Sequence, residues 1–350
     1  MSIGKKECYD VTIIGGGPTG LFSAFYAGMR DMKTKIIEGA PVLGGKLPYY
    51  GDKPLYDIGG VLETTGDHLV KELEMQAKTF EPVIVLNQMV EQMTRLPDNT
   101  FRLTSNTGDV HFTKTIIIAI GGGTLVPQKL ELANAYQYEN NHIHYNIEES
   151  MERFRDKKVL ISGGGDSAVD YALALATIAK SVWVVHRRDE FRAHEGNVAK
   201  MKQAPVQLMT SSQLKDINGN GDKIESVTVE CVNRGDTFNL PVDDVIICHG
   251  VIPDLGGIKH WGLELENRGT DSIRVNTSME TTVPGLFAAG DVSTYPGKLQ
   301  GLIAAGFMEG ASAISHAKLY LEPEKELKPI WSTFHEKLLS IHEKTSESVK

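Results

Sequence analysis

Two glycine-rich stretches, each led by a strand-like run and followed by a helix-like segment and a second strand, restrict what this chain can fold into more than any other feature. Val11-Thr12-Ile13-Ile14 runs straight into Gly15-Gly16-Gly17-Pro18-Thr19-Gly20; Leu21 to Met29 then reads as a helix of small and apolar residues, and Lys35-Ile36-Ile37-Glu38 as a strand. The pattern returns as a strand over Lys158 to Ser162, the turn Gly163-Gly164-Gly165-Asp166-Ser167-Ala168, a helix over Ala168 to Ala179 and a strand over Val182 to Val185. Strand, glycine turn, helix and strand make a βαβ unit, which requires a parallel sheet. Gly15 and Gly163 stand 148 positions apart, so the chain of 350 residues carries two such units.

The fold class expected is α/β, with two Rossmann-like (three-layer ββα) dinucleotide-binding domains. Between the two units, Val83 to Met93, Thr100 to Thr107 and Val110 to Ala119 alternate like antiparallel strands, and a similar meander follows the second unit over Val206 to Cys248. Segments 121–127 and 250–257 read as crossovers between domains, and the chain from Thr281 onward returns to complete the first. The second domain is therefore expected to be inserted in the first: 1–120 and 252–350 form one, 121–251 the other.

The glycines have a chemical purpose. In the order G-x-G-x-x-G after a strand, Gly15, Gly17 and Gly20, with Pro18 and Thr19 between, let the turn close and bring backbone N–H groups at a helix start close to a pyrophosphate. Glu38, ending the next strand, is placed to accept from an adenosine ribose hydroxyl. The second motif, with Gly164, Gly165, Asp166 and Ser167, repeats the cradle, but its following strand ends in His186-Arg187-Arg188, with Arg192 four residues beyond. Guanidinium groups there suit a 2′-phosphate, which favours NADPH over NADH; the competing reading is a solvated charge run. Two dinucleotide sites in one chain suggest a flavin at one and a hydride donor at the other. The stretch Thr281 to Asp291, ending Ala288-Ala289-Gly290-Asp291, agrees: Gly290 lets backbone pass close to a cofactor, and Asp291 supplies a carboxylate for a ribityl chain.

A formal net charge of −9 argues against a nucleic-acid partner, and no apolar run approaches a membrane span or a signal peptide. Three cysteines in 350 residues cannot form a disulfide scaffold. A reducing, cytoplasmic setting is expected. No metal site is read.

In motif order the chain resembles the low-molecular-weight thioredoxin reductase family from Ile13 to about Thr333. That family carries a redox-active Cys-x-x-Cys just before the second glycine motif, where this chain has Asn141-His142-Ile143-His144-Tyr145-Asn146. Without a dithiol to pass flavin electrons to a disulfide, thioredoxin reduction is not expected. Bacillithiol disulfide reductase-like relatives carry a cysteine where Thr19 stands here. The phrases Gly163 to Asp170 (GGGDSAVD), His186 to Glu195 (HRRDEFRAHE) and Lys259 to Leu263 (KHWGL), with a C-terminal segment after Tyr320, are most similar to the thioredoxin-reductase-like ferredoxin (flavodoxin)–NADP⁺ reductases.

This resemblance implies FAD in the first domain and NADPH in the second, with hydride passing to flavin N5 and electrons leaving singly to a ferredoxin or flavodoxin. It implies FAD contacts at Glu38, Lys46, Asp291, the Val90 backbone and Leu125, with Tyr50 stacked on the isoalloxazine. A C-terminal segment that crosses a homodimer would bring Trp331, Ser332 or Thr333 to the other flavin face. Rotation of the inserted domain is expected to deliver the nicotinamide. No general acid or base is nominated, since the flavin carries the chemistry. Two alternatives stand beside this reading: an NADPH-dependent disulfide reductase working on external thiols, disfavoured by the missing Cys-x-x-Cys, and a nucleotide-binding sensor or scaffold.

Overall fold

A computed structural model describes residues 7–139, 141–145, 147, 150–267 and 271–341, within which the chain divides into two compact units, 1–124 with 253–350, and 125–252. Among the described residues there are five α-helices: α1 (Pro18–Met29), α2 (Gly66–Lys78), α3 (Asp166–Leu175), α4 (Glu195–Gln203) and α5 (Ile303–Leu321). None is long and apolar enough to cross a membrane.

The first unit is built on a sheet ordered Val83–Val85, Thr34–Ile37, Cys8–Ile14 and Val110–Ile118, parallel throughout, as the βαβ reading requires. Where both of its faces are covered the sheet is apolar: Val11, Ile13, Ile36 and Ile116 to Ile118 are all completely buried. Each such isoleucine contributes about 1.5–3 kcal/mol of burial. The strand Val110–Ile118 forks along one edge. Its first half pairs antiparallel with Phe101–Ser105, which leads on to Val90–Arg95, and its last three residues pair parallel with Leu286–Ala288. The run expected as one strand from Val83 to Met93 is two: Asn87 takes a left-handed φ of 58°, and Val83–Val85 joins the parallel sheet while Val90–Arg95 opens the meander.

On one face α1 lies against α5. A Cβ at Gly306 or Gly310 of α5 would collide with Thr19 Oγ1 or Ser23 Oγ of α1, so two glycines four residues apart let the helix backbones approach. Ala24, Ala27, Ala313 and Ala317, all fully buried, keep the contact thin along its length.

The second unit has a parallel sheet ordered Ile143–His144, Asp244–Cys248, Lys158–Gly163, Ser181–Val185, Val206–Met209. Val206–Met209 and Asp244–Cys248, read from sequence as parts of a meander, belong to this sheet; the antiparallel meander is Ser212–Asn220, Lys223–Cys231 and Thr237–Leu240. The two connecting strands, Thr124–Pro127 and Val251–Asp254, pair with each other.

Candidate functional site

The first glycine turn closes because nothing larger fits it. Gly15 has φ 108°, and a Cβ there would strike the Ala119 carbonyl; a Cβ on Gly20 would strike the Gly15 carbonyl. Gly17 is the N-cap of α1 in extended conformation, Pro18 begins the helix, and no side chain caps its first turn. The N–H groups at this end are thus left to a ligand, and the turn offers open backbone rather than side chains. Gly45, with φ 59°, packs against Gly17 and walls the turn on one side.

Glu38 is half-buried at the end of its strand. Its Oε2 accepts from the Gly16 N–H at 2.6 Å and its Oε1 from the Ala40 N–H at 2.8 Å, so the carboxylate is fixed beside the turn before any ribose arrives. The Glu38 carbonyl accepts from the Gln88 N–H, two residues before Val90, which is 4 % exposed and opens the strand Val90–Arg95. Lys46 precedes a short 3₁₀ turn, Leu47–Tyr49, and lies along Gly122; Tyr50, just past the turn, is 48 % exposed. Gly290, with φ 79°, abuts Thr19, and Asp291 Oδ1 accepts from the Gly301 N–H at 2.9 Å. The fold therefore gathers Gly15 to Gly20, Glu38 and Gly290-Asp291 around one end of α1. Leu125 sits on a connecting strand, 47 % exposed.

Trp331, Ser332 and Thr333 are elsewhere. With Ile330 and Phe334, Trp331 lines an open depression of about 450 Å³ against Met29 and Asp31, at the far end of α1. Phe80 meets the His335 ring edge-on at 5.0 Å, and the Lys328 carbonyl accepts from Arg30 at 3.5 Å. The 12 residues of α1 separate this anchor from the glycine turn by about 18 Å at about 1.5 Å per residue. Trp331 stays 63 % exposed and Phe334 76 %.

In the second unit a Cβ on Gly163 would strike the Cys248 carbonyl, while Gly165, the N-cap of α3, has open space around it and no side-chain cap. Asp166 faces the arginine loop, its Oδ1 accepting from the His194 N–H at 2.8 Å, and the Arg192 N–H donates to the Gly164 carbonyl at 2.8 Å. Ser167 is exposed in the first turn of α3. His186 is not presented to a ligand: it is buried under Gly164, stacked on Phe191, with Nε2 bonded to the Glu190 carbonyl. Arg187, Arg188 and Arg192 are exposed, and no carboxylate among the described residues pairs with them. Three free guanidinium groups beside an uncapped helix start make a site for a polyanion.

Where a dithiol would precede this motif, His144 Nε2 bonds the fully buried Asp244 at 2.8 Å, and Lys157 meets the other carboxylate oxygen at 2.9 Å. Asn146, the last residue of that stretch, lies outside the described residues. All three cysteines are free thiols. Burial pushes the Cys248 thiol up to about 12, whereas a hydrogen bond from Arg234 lowers that of Cys231.

Sequence reasoning missed a charged cluster beneath Gly290. Lys298 and Glu309 are a buried ion pair, with side chains 1 % and 0 % exposed and Nζ to Oε1 at 2.5 Å. Its one sequence signal is a lone carboxylate inside the otherwise uncharged stretch Ala304 to His316.

A family model described as pyridine nucleotide-disulphide oxidoreductase matches residues 9–316. The chain is 48% identical over 337 residues to ferredoxin–NADP reductase 1 of Bacillus velezensis, covering 96% of this chain and 99% of that protein. It is 48% identical to ferredoxin–NADP reductase 2 of Oceanobacillus iheyensis, covering 94% and 98%. Among solved structures, thioredoxin reductase of Lactococcus lactis is similar with a TM-score of 0.54 at 27% identity, covering 90% of this chain and 99% of that one. The chain belongs to the pyridine nucleotide-disulphide oxidoreductase family, among its ferredoxin–NADP reductases.

Proposed function

We propose that the chain is an FAD-dependent ferredoxin–NADP⁺ reductase that moves electrons between NADPH and a one-electron protein carrier, ferredoxin or flavodoxin. The observation that carries this reading is the pair of uncapped glycine cradles, one beside a fixed Glu38 carboxylate and one beside three arginines that no carboxylate among the described residues pairs with. The first cradle fits FAD: Gly15 and Gly20 leave room where a Cβ would strike backbone, and Glu38 presents an acceptor to an adenosine ribose. FAD, when bound, supplies hydride acceptance and one-electron release. Gly15, Gly17, Pro18, Thr19 and Gly20 hold its pyrophosphate, Val90 borders adenine, Gly290 and Asp291 meet the ribityl chain, and Lys46, Tyr50 and Leu125 border the ring. Gly164 to Ser167 hold the NADPH pyrophosphate, and Arg187, Arg188 and Arg192 its 2′-phosphate, with His186 supporting the turn from below. The connecting strands are the hinge on which the NADPH unit turns.

The site of the tail supports a homodimer. Anchored at the far end of α1, Trp331, Ser332 and Thr333 serve the flavin of a second copy, and the exposed Trp331 and Phe334 are the surface that copy covers. The enzyme works in the cytoplasm, and the His144–Asp244–Lys157 network, standing where a dithiol would, speaks against disulfide reduction. The test is to purify the protein, record a flavin spectrum and titrate NADPH with ferredoxin, flavodoxin or thioredoxin as acceptor. NADPH should bleach the flavin and reduce the first two carriers; an unbleached flavin, or thioredoxin as the preferred acceptor, refutes the reading.

A further inference from the structure

The first unit holds a pair of opposite charges out of contact with water. Lys298 and Glu309 lie side by side, and a well-packed apolar pair of similar volume is often as stable as a buried ion pair. What this pair does locally is therefore more informative than its stability.

Glu309, from α5, accepts from the Gly290 N–H at 2.8 Å, from Ser293 Oγ at 3.3 Å and from the Tyr295 hydroxyl at 2.9 Å. Lys298 donates to the Gly290 carbonyl at 3.1 Å, and the same oxygen accepts from the Ser293 N–H at 2.9 Å. Gly290 is thus held by its own N–H and its own C=O at once. No peptide bond among the described residues is cis, so the N–H of the next residue, Asp291, points opposite to the Gly290 carbonyl. With that carbonyl drawn onto buried Lys298, the Asp291 N–H is turned away from the pair, on a loop that touches Thr19 of the first cradle. It has no acceptor among the described residues, although Asp291 is half-buried.

We propose that the Lys298–Glu309 ion pair is a positioning device that fixes the Gly290–Asp291 peptide, so that the Asp291 N–H is presented as a donor to the phosphate or ribityl oxygens of the cofactor. The proposal rests on the FAD reading above. A peptide free to rotate would present its carbonyl oxygen to the same oxygens for part of the time, and repel them. Because donor and acceptor of Gly290 are both tied, the ordering is present before the cofactor binds, and the cofactor gains a preorganised donor.

The test uses Lys298→Met/Glu309→Gln, which keeps volume and leaves no lone buried ion, beside Glu309→Gln alone and Tyr295→Phe. Tyr295 bonds Glu309 and makes no hydrogen bond to Gly290, so its variant reports the merely structural share. FAD dissociation constants are measured by flavin fluorescence on stripped protein, together with flavin circular dichroism and melting of the unliganded chain. The double variant is expected to bind FAD about 10- to 100-fold more weakly, with an altered flavin dichroism, Glu309→Gln about tenfold more weakly, and Tyr295→Phe within about twofold of wild type. FAD bound equally well by wild type and Glu309→Gln overturns the proposal, whether or not the double variant folds. So does a Tyr295→Phe loss as large as that of Glu309→Gln. Wild-type protein that takes up no FAD overturns the cofactor reading itself.

Discussion

Coenzyme choice is where the geometry makes its sharpest quantitative demand. Arg187 and Arg188 are exposed at the end of a central strand of the second unit, with no carboxylate among the described residues to neutralise them. A unit charge pair about 4 Å apart is worth about 1 kcal/mol in bulk water and about 4 kcal/mol at an effective dielectric of about 20. Solvent exposure puts each arginine near the lower end, about 1–2 kcal/mol. Arg187→Ala/Arg188→Ala should therefore remove about 2–4 kcal/mol from NADPH alone, a fall of about 30- to 1,000-fold in kcat/KM. NADH, which on the proposed reading meets the same Gly164 to Ser167 cradle but lacks the 2′-phosphate, should change by less than about threefold. Backbone ties of the loop survive the truncation, since the Arg188 carbonyl still accepts from the Ser211 N–H, so melting should hold. The assay is steady-state oxidation of both coenzymes with a dye or ferredoxin acceptor at two salt concentrations, the wild-type preference narrowing at the higher one. An equal fall for NADPH and NADH refutes the argument, because it would make the arginines structural.

Other expectations follow from single contacts. Gly20→Ala places a Cβ against the Gly15 carbonyl and should cost about 1–3 kcal/mol of stability together with most of the bound flavin, read by melting and by the ratio of flavin to protein absorbance. His111 is held below its usual range, first by burial and then by the Lys35 ammonium 3.2 Å from Nδ1. The unfolded chain accordingly takes up a proton near pH ~6.5 that the folded chain resists, so stability is full above that pH and falls below it. Melting between about pH 7.5 and about pH 5.5 should drop less in His111→Gln than in wild type; equal drops contradict the assignment. Alkylation mapped by mass spectrometry should reach Cys231 first and Cys248 last, following the opposite displacements of their thiols, and a reversed order would contradict it.

What could be read from sequence was local. The glycine turns were legible because a β-branched run, glycine spacing and helix start all lie within a dozen residues, and the arginine loop because it follows its strand directly. The split of the expected strand at Asn87 was hidden, since a left-handed asparagine looks like any polar residue in a run. Val206–Met209 alternates no differently from the meander that follows it, and only its neighbour Ser181–Val185 decides that it runs parallel. His186 reads as part of a cationic loop, yet its ring fills the space left by Gly164, a tertiary contact no spacing rule contains. The same holds for Lys298 and Glu309, brought together by the return of α5.

The forked strand Val110–Ile118 has a consequence for biosynthesis. Its last three residues wait for Leu286–Ala288, and between them the ribosome must make the whole of the unit 125–252. At about 5–20 residues per second, Ile118 and Leu286 emerge about 8–34 s apart. The contiguous unit can mature while the discontinuous one still exposes a half-built sheet edge beside its first cradle. The nascent chain is thus most open to misassembly in that interval, and the Gly290–Asp291 loop arrives only as the interval ends.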